Sequence, residues 1–138
     1  MTSMVADPSI DVTDQKNGQG ARVFFVDDDP LVSEMIREVI PLIGHQLVGH
    51  AINGLEAVQM YPALMPDITI MDCRMPVMDG IRASAEIKAY DPKAKIIMLS
   101  GHFVDKKAAE SAGVMKIIQK PVSIQELKQE IESALRMV

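Results

Sequence analysis

Short apolar runs recur along the chain and are separated by segments long enough to form helices. The five runs are ARVFFV, QLVGHA, DITIM, KIIML and VMKIIQ, at residues 21–26, 46–51, 67–71, 95–99 and 114–119. Near-continuous apolar runs rich in β-branched residues, alternating with helices, are typical of a parallel sheet with both faces covered. The pattern therefore predicts an α/β fold, with five β/α units building a doubly wound parallel sheet.

Several residues mark the ends of the predicted helices. Ser123 and Glu126 have the spacing of a capping box at the start of the last helix. The apolar positions of that helix recur at intervals of three and four, at Ile124, Leu127, Ile131 and Leu135. Asn53 is a suitable N-cap for the second helix, whereas Pro41 and Pro62 predict that the first and second helices end or kink there.

Length and composition indicate one globular domain after a tail. Residues 1–20 lack helical or strand periodicity and finish in a Gly-rich stretch, so we predict a flexible tail over 1–20 and a domain over 21–138. No apolar run approaches the roughly 18 residues of a membrane-spanning helix, so no membrane partner is expected. The single cysteine, Cys73, and the absence of a secretion signal favour a cytoplasmic location.

Charge and aromatic content narrow the function further. The net charge of −5 provides no basic stripe for a phosphate backbone, so direct binding of nucleic acid is disfavoured. The chain has no Trp and only five Phe and Tyr residues, whereas it has 11 methionines and many aliphatic residues. We therefore expect an aliphatic, methionine-rich core.

Polar residues follow four of the predicted strands. Asp27-Asp28-Asp29 follows the first, Asp72 the third, Ser100 the fourth and Lys120 the fifth. Because parallel strands end on the same edge, these side chains are expected to share one rim, where α/β sheets bind ligands. Carboxylates about 4 Å apart repel by roughly 4 kcal/mol at an effective dielectric of 20, so either a cation lies among them or one of the acids has another role.

The residue types suggest phosphoryl chemistry with a metal ion. Asp72 is a candidate nucleophile, and Asp27 and Asp28 supply the hard oxygen ligands that Mg2+ prefers. Lys120 and Ser100 can each stabilise a phosphoryl oxygen. Asp29, directly before Pro30, is predicted to be the N-cap of the first helix, with Pro30 as its first residue.

The segments VDDDP, DITIMDCRMPVMDG, IIMLSG and QKP resemble, in this order, the motifs of receiver domains of two-component response regulators. The resemblance covers about residues 22–138 and implies a flavodoxin-like fold with strand order 2-1-3-4-5. It also implies a Mg2+-dependent phosphoryl transfer from a sensor histidine kinase or a histidine phosphotransfer protein. The implied roles are phosphoacceptor for Asp72, acidic pair for Asp27 and Asp28, conserved lysine for Lys120, switching hydroxyl for Ser100 and a metal-binding backbone carbonyl for Arg74. The Lys120-Pro121 bond resembles one that is often cis in this family.

Other residues near these motifs are given structural interpretations. The turn from Met75 to Gly80 is expected to position the acceptor, and Cys73 to be a small buried residue. His45 and His50, which flank the second strand, are interpreted as structural. His102 is interpreted as a surface loop residue, although it could shield a phosphoryl group.

One position departs from the family pattern. Receiver domains often carry an aromatic residue three positions before the conserved lysine, and here that residue is Ile117. The usual rotating ring therefore cannot report phosphorylation. The surface of the fourth helix, fifth strand and fifth helix, with Val104, Lys107, Met115 and Ile117, remains the expected docking site for a downstream partner, through a conformational shift.

Two other functions compete. A haloacid-dehalogenase-like phosphatase would use Asp27 as nucleophile and Asp29 as general acid, but it leaves Asp72 and the residues after it without a role. A non-phosphorylated pseudo-receiver would act only as a binding module. Because the chain stops with its last predicted helix, we expect a stand-alone receiver, resembling chemotaxis messengers or phosphorelay intermediates, or one excised from a longer regulator.

Overall fold

The computed structural model describes residues 20–137, in which five strands alternate with five helices. Strands β1 to β5 span Arg22–Val26, Gln46–Ala51, Ile68–Met71, Ile96–Ser100 and Lys116–Gln119. Helices α1 to α5 span Pro30–Leu42, Gly54–Leu64, Gly80–Tyr90, Lys106–Ser111 and Ile124–Arg136. The predicted tail, residues 1–20, lies outside the described residues except for Gly20.

All strand pairs are parallel, and the sheet order is β2-β1-β3-β4-β5. The predicted doubly wound, flavodoxin-like topology is therefore confirmed. Strand order reverses beside β1, so β1 and β3 lie next to each other although β2 falls between them in sequence. Their carboxyl ends form the crevice in which such sheets bind ligands.

The apolar runs are continuous because each strand supplies both faces of the sheet. In β1, Val23 and Phe25 belong to one core cluster, while Phe24 and Val26 belong to the other. Helices α1 and α5 cover the first face, and α2, α3 and α4 cover the second. Since helices cover both faces, the strands do not show the alternation of apolar and polar residues that is usual when one face meets water.

The core is mainly aliphatic, as the composition predicts, and it also contains three aromatic rings. Phe24, Phe25 and Tyr61 are among the largest fully buried side chains, because bulky rings fill the volume between the central strands and the helices. Met71 and Met98 are the methionines that the structure buries completely within residues 20–137. The expectation of a methionine-rich core is therefore only partly correct.

The predicted helix caps are present. Asp29 caps α1 with Pro30 at its first position, Asn53 caps α2, and Ser123 forms the capping box of α5. Helix α1 ends one residue after Pro41, and α2 ends two residues after Pro62. Each proline thus lies in a last turn, where few hydrogen bonds depend on it. Among the helices of residues 20–137, none has the length and apolar character that a membrane crossing requires.

Candidate functional site

Three carboxylates and one amine meet at the carboxyl edge of the sheet. One carboxylate oxygen each from Asp27, Asp28 and Asp72 lies within 4.8 Å of the others. The Nζ atom of Lys120 lies 3.1 Å from Oδ2 of Asp27 and 3.9 Å from Oδ1 of Asp72. The loops after β1, β3 and β5 therefore deliver side chains to one point, as the parallel topology predicts.

Two of the three carboxylates are buried, and the cluster carries more negative than positive charge. Asp27 is 1% exposed and Asp72 8%, while Asp28 is open to solvent. Burial and the charges of Asp27 and Asp28 together raise the pKa of Asp72 to about 6, against the lowering effects of Lys120 and of the hydrogen bond from the Cys73 N–H. One amine facing three acids leaves a net deficit of positive charge, which a divalent cation with a preference for oxygen ligands fits.

The loop after β1 separates the roles of its three acids. The backbone N–H of Asp29 donates to Oδ1 of Asp27 over 2.8 Å, which fixes the Asp27 side chain. Oδ1 of Asp29 accepts from the N–H of Leu31 over 2.9 Å and so caps α1. Asp29 therefore serves the helix, and Asp27 and Asp28 remain for the site.

The loop after β3 is held close to Asp72. The N–H of Gly80 donates to the carbonyl of Cys73 over 2.8 Å, and a Cβ on Gly80 would collide with the carbonyl oxygen of Asp72. The N–H of Gly54 donates to Met78 over 2.9 Å, with similarly close backbone contact. Glycines at the first positions of α3 and α2 thus allow the loop to pack against Asp72. This close packing agrees with the predicted role of the turn, which is to position Asp72.

Val77, in the middle of this loop, has an unusual backbone. Its φ is 70°, and the N–H of Met78 donates to the carbonyl of Pro76 over 2.7 Å, which closes a γ-turn around Val77. A β-branched residue disfavours positive φ, and Val77 is 75% exposed, so packing does not compensate the strain. Sequence patterns gave no sign of this, because the residue expected in such a conformation is glycine or asparagine.

Ser100 is placed at the rim with its hydroxyl engaged locally. It is the last residue of β4 and is 1% exposed. Its Oγ accepts from the N–H of His102 over 3.1 Å and lies 3.4 Å from the carbonyl of His102. The hydroxyl therefore holds the loop after β4, and its switching role stays a prediction, as does the carbonyl role of the exposed Arg74.

The cysteine and two histidines have structural contacts. Cys73 is buried, and burial raises the pKa of its thiol, which agrees with its interpretation as an inert core residue. Nδ1 of His45 accepts from the N–H of Ala21 over 2.9 Å. His50 lies directly behind the acidic loop, with its Nε2 atom 3.2 Å from the carbonyl oxygen of Asp27. Nothing in the sequence pattern indicated this proximity, because 23 residues separate the two.

The expected signalling surface needs one correction. Val104 is only 8% exposed, because it packs in the core cluster beneath α2, α3 and α4. Lys107 is exposed, and Met115 and Ile117 are half-buried.

The Lys120-Pro121 bond is cis.

Fold and site together define a doubly wound α/β domain with a carboxylate and lysine cluster at its switch point. The family model of the response regulator receiver domain matches residues 23–132. The chain belongs to this family, and its acidic cluster fits a phosphoacceptor site. The phosphatase and pseudo-receiver alternatives are not favoured. In the phosphatase, Asp29 would have to be the general acid, but its side chain caps α1.

Relatives and solved structures agree with this assignment. The chemotaxis protein CheY of Thermotoga maritima is 42% identical over 104 residues, which are 74% of this chain and 87% of that protein. The CheX-CheY-BeF3-Mg+2 complex from Borrelia burgdorferi matches with a TM-score of 0.79 at 28% identity, covering 84% of this chain and 90% of that chain. The receiver domain of a sensor histidine kinase from Pseudomonas aeruginosa PAO1, with a magnesium ion coordinated in its active site cleft, matches with a TM-score of 0.78 at 26% identity, covering 86% and 99%.

Proposed function

We propose that Asp72 accepts a phosphoryl group from a phosphohistidine donor and that Mg2+ bound by Asp27, Asp28, Asp72 and the carbonyl of Arg74 is required. The observation that carries the proposal is the meeting of carboxylates from β1 and β3, within 4.8 Å of one another, beside the amine of Lys120. The magnesium ions named for the Pseudomonas and Borrelia structures support a metal in this cleft.

Each residue has a distinct part in the transfer. A carboxylate oxygen of Asp72 attacks phosphorus as the phosphorus–nitrogen bond to the donor histidine breaks, and an acyl phosphate forms on Asp72. The amine of Lys120, 3.9 Å from Asp72, moves onto a phosphoryl oxygen, and the hydroxyl of Ser100 leaves His102 to donate to another. Bound Mg2+ supplies charge neutralisation for the transferred group.

The same site ends the signal. Attack of water on the acyl phosphate releases inorganic phosphate and restores the Asp72 carboxylate. The chain thus catalyses only its own phosphorylation and dephosphorylation and is a signalling protein rather than an enzyme acting on other substrates. His102, exposed beside Ser100, is positioned to affect access of that water.

An apolar groove beside the site suits the phosphodonor, a sensor histidine kinase or a histidine phosphotransfer protein. A cavity of about 500 Å³ lies between α1 and α5, and its lining includes Met35, Ile124 and Lys120. Met35 and Ile124 are 54% and 52% exposed, and nearby Leu31 is 81% exposed. Because Lys120 belongs to both the groove and the acidic site, a helix of the donor seated here would bring its phosphohistidine to Asp72.

The opposite side of β5 is left for the downstream partner. With Val104 buried, the exposed Lys107 and the half-buried Met115 and Ile117 are the residues we assign to this docking face of α4, β5 and α5. Binding there depends on phosphorylation only through a difference in affinity for the two conformations.

Intact-mass measurement after incubation with acetyl phosphate and Mg2+ tests the function. The wild-type chain should gain the mass of one phosphoryl group, and Asp72→Asn should gain none. Asp67→Asn is the matched control, since Asp67 precedes the same strand at its other end and should leave the gain unchanged. Uptake by Asp72→Asn with loss in Asp27→Asn would instead establish Asp27 as the nucleophile.

A further inference from the structure

His50 is joined to both sides of the acidic loop. It lies in β2, where it pairs with Phe25 of β1, and its ring stacks on that of Phe25 with centroids 6.1 Å apart and planes inclined by 19°. Its Nε2 atom lies 2.7 Å from Oγ of Ser33 and 3.2 Å from the carbonyl oxygen of Asp27. The histidine therefore connects the edge strand, the first helix and the end of β1.

A count of hydrogens fixes the direction of these bonds. Ser33 is 7% exposed, and its Oγ lies 3.0 Å from the carbonyl oxygen of Asp29, which can only accept. The single hydroxyl hydrogen is used there, so Oγ accepts from His50. The Asp27 carbonyl also only accepts, so one Nε2–H of His50, shared between Ser33 Oγ at 2.7 Å and the Asp27 carbonyl at 3.2 Å, serves both contacts.

These bonds hold the backbone on either side of Asp28. His50 binds the carbonyl of Asp27 directly and reaches the carbonyl of Asp29 through Ser33. The loop is fixed from behind, while the carboxylates of Asp27 and Asp28 point to the site on the other side. Partners that orient metal ligands from behind typically change metal affinity when they are removed.

We propose that His50 is a positioning residue whose Nε2–H fixes the loop that presents Asp27 and Asp28 to Mg2+. The proposal deepens the function proposed above and rests on it. His50 touches neither the metal nor the phosphoryl group, and its role depends on a donated hydrogen bond and not on its charge.

Calorimetric titration of the full chain with Mg2+ tests this role. His50→Phe keeps a ring to stack on Phe25 but lacks the donor, and it should bind Mg2+ roughly tenfold more weakly. His50→Gln places an amide N–H near the position of Nε2 and should stay within about threefold of the wild-type affinity. Rescue by glutamine and not by phenylalanine identifies the hydrogen bond as the cause.

Controls separate positioning from general destabilisation. His45→Asn changes a distant buried histidine and should lower the melting temperature without changing Mg2+ affinity. If His50→Phe also lowers only the melting temperature, the positioning role is wrong. Acetyl phosphate labelling of wild type keeps the two proposals apart: no uptake refutes the proposed function, whereas normal uptake with unchanged Mg2+ affinity in His50→Phe refutes only the role of His50.

A measurement on the wild-type protein covers the case in which His50→Phe does not fold. Nitrogen-15 NMR of metal-free protein distinguishes the two neutral tautomers of histidine. The hydrogen of His50 is expected on Nε2, with a one-bond coupling at that nitrogen. A hydrogen found on Nδ1 would contradict the proposal, because Nε2 could then donate to neither Ser33 nor Asp27.

Discussion

Replacing Asp72 with asparagine should stabilise the metal-free protein at high pH. The folded chain holds this carboxylate in a buried site beside Asp27 and Asp28, with Lys120 as the compensating charge. In the unfolded chain the same group is fully hydrated. Asp72→Asn keeps the shape of the side chain and removes its charge, so the cost of placing that charge in the folded protein disappears.

The pKa of Asp72 gives the magnitude of the stabilisation expected from Asp72→Asn. Burial and the neighbouring acids raise it from 3.8 to about 6. At about 1.4 kcal/mol per pKa unit, the charged carboxylate lowers the unfolding free energy by about 3 kcal/mol above pH 7. This value already includes the attraction of Asp72 to Lys120, because that attraction contributes to the pKa. Because the amide forms its own imperfect contacts, we expect Asp72→Asn to gain about 1–3 kcal/mol at pH 8.

The contribution of Asp72 to stability changes with pH in a direction that can be recognised. Between pH 6 and 4 the folded protein binds a proton at Asp72 that the unfolded chain does not, so this group adds stability as pH falls. The advantage of Asp72→Asn should therefore shrink from pH 8 towards pH 4. Mg2+ should reverse the order at pH 8, because it binds the folded wild-type protein more strongly.

Urea unfolding in the presence of EDTA, measured from pH 4 to pH 8, provides the assay. Glu110→Gln, at an exposed carboxylate of α4, is the control and should change stability by less than about 0.5 kcal/mol at every pH. An Asp72→Asn protein less stable than wild type at pH 8, or a difference that does not vary with pH, would refute the reasoning.

Three further changes test other features of the fold. Val77→Gly should raise the unfolding free energy by about 1 kcal/mol by relieving the positive φ, whereas Val77→Ala, which keeps a Cβ, should not. Ser84→Ala should also stabilise by about 1 kcal/mol in urea unfolding, because this hydroxyl is fully buried without a hydrogen-bond partner in residues 20–137; a loss of stability would reveal a missed partner. Burial lowers the pKa of His45 below 6.5 against the opposing charge of Glu132, so the unfolded chain binds the proton more readily and stability falls as pH drops below 6.5. His45→Asn, which can still accept from Ala21, should lack this component when its pH profile is compared with that of wild type.

The sequence was sufficient for the features that depend on regular spacing. Apolar runs predict strands wherever both faces of a sheet are covered, and parallel strands must bring their carboxyl ends together. Asp27, Asp72 and Lys120 could therefore be assigned to one site without coordinates. The caps at Asp29 and Asn53 were predictable for a similar reason, because a cap depends on its immediate neighbours.

Features that depend on contacts between distant residues could not be predicted in this way. His50 meets Ser33 and Asp27 across 17 and 23 residues, and no pattern of residue types requires that meeting. Val104 lies next to surface loops in sequence, and only the packing of three helices decides that it is buried. The strained φ of Val77 runs against the preference of its own side chain, so local reasoning would predict the opposite.

The ion pair between Lys120 and Asp27 joins residues that are 93 positions apart in the chain. During synthesis, the acidic loop leaves the ribosome long before the lysine that neutralises it. A chain truncated before its fifth strand, or one that has lost that strand to partial unfolding, carries the aspartates without the amine. On the function proposed above, the acceptor site is therefore complete only in molecules that have added the fifth strand to the sheet.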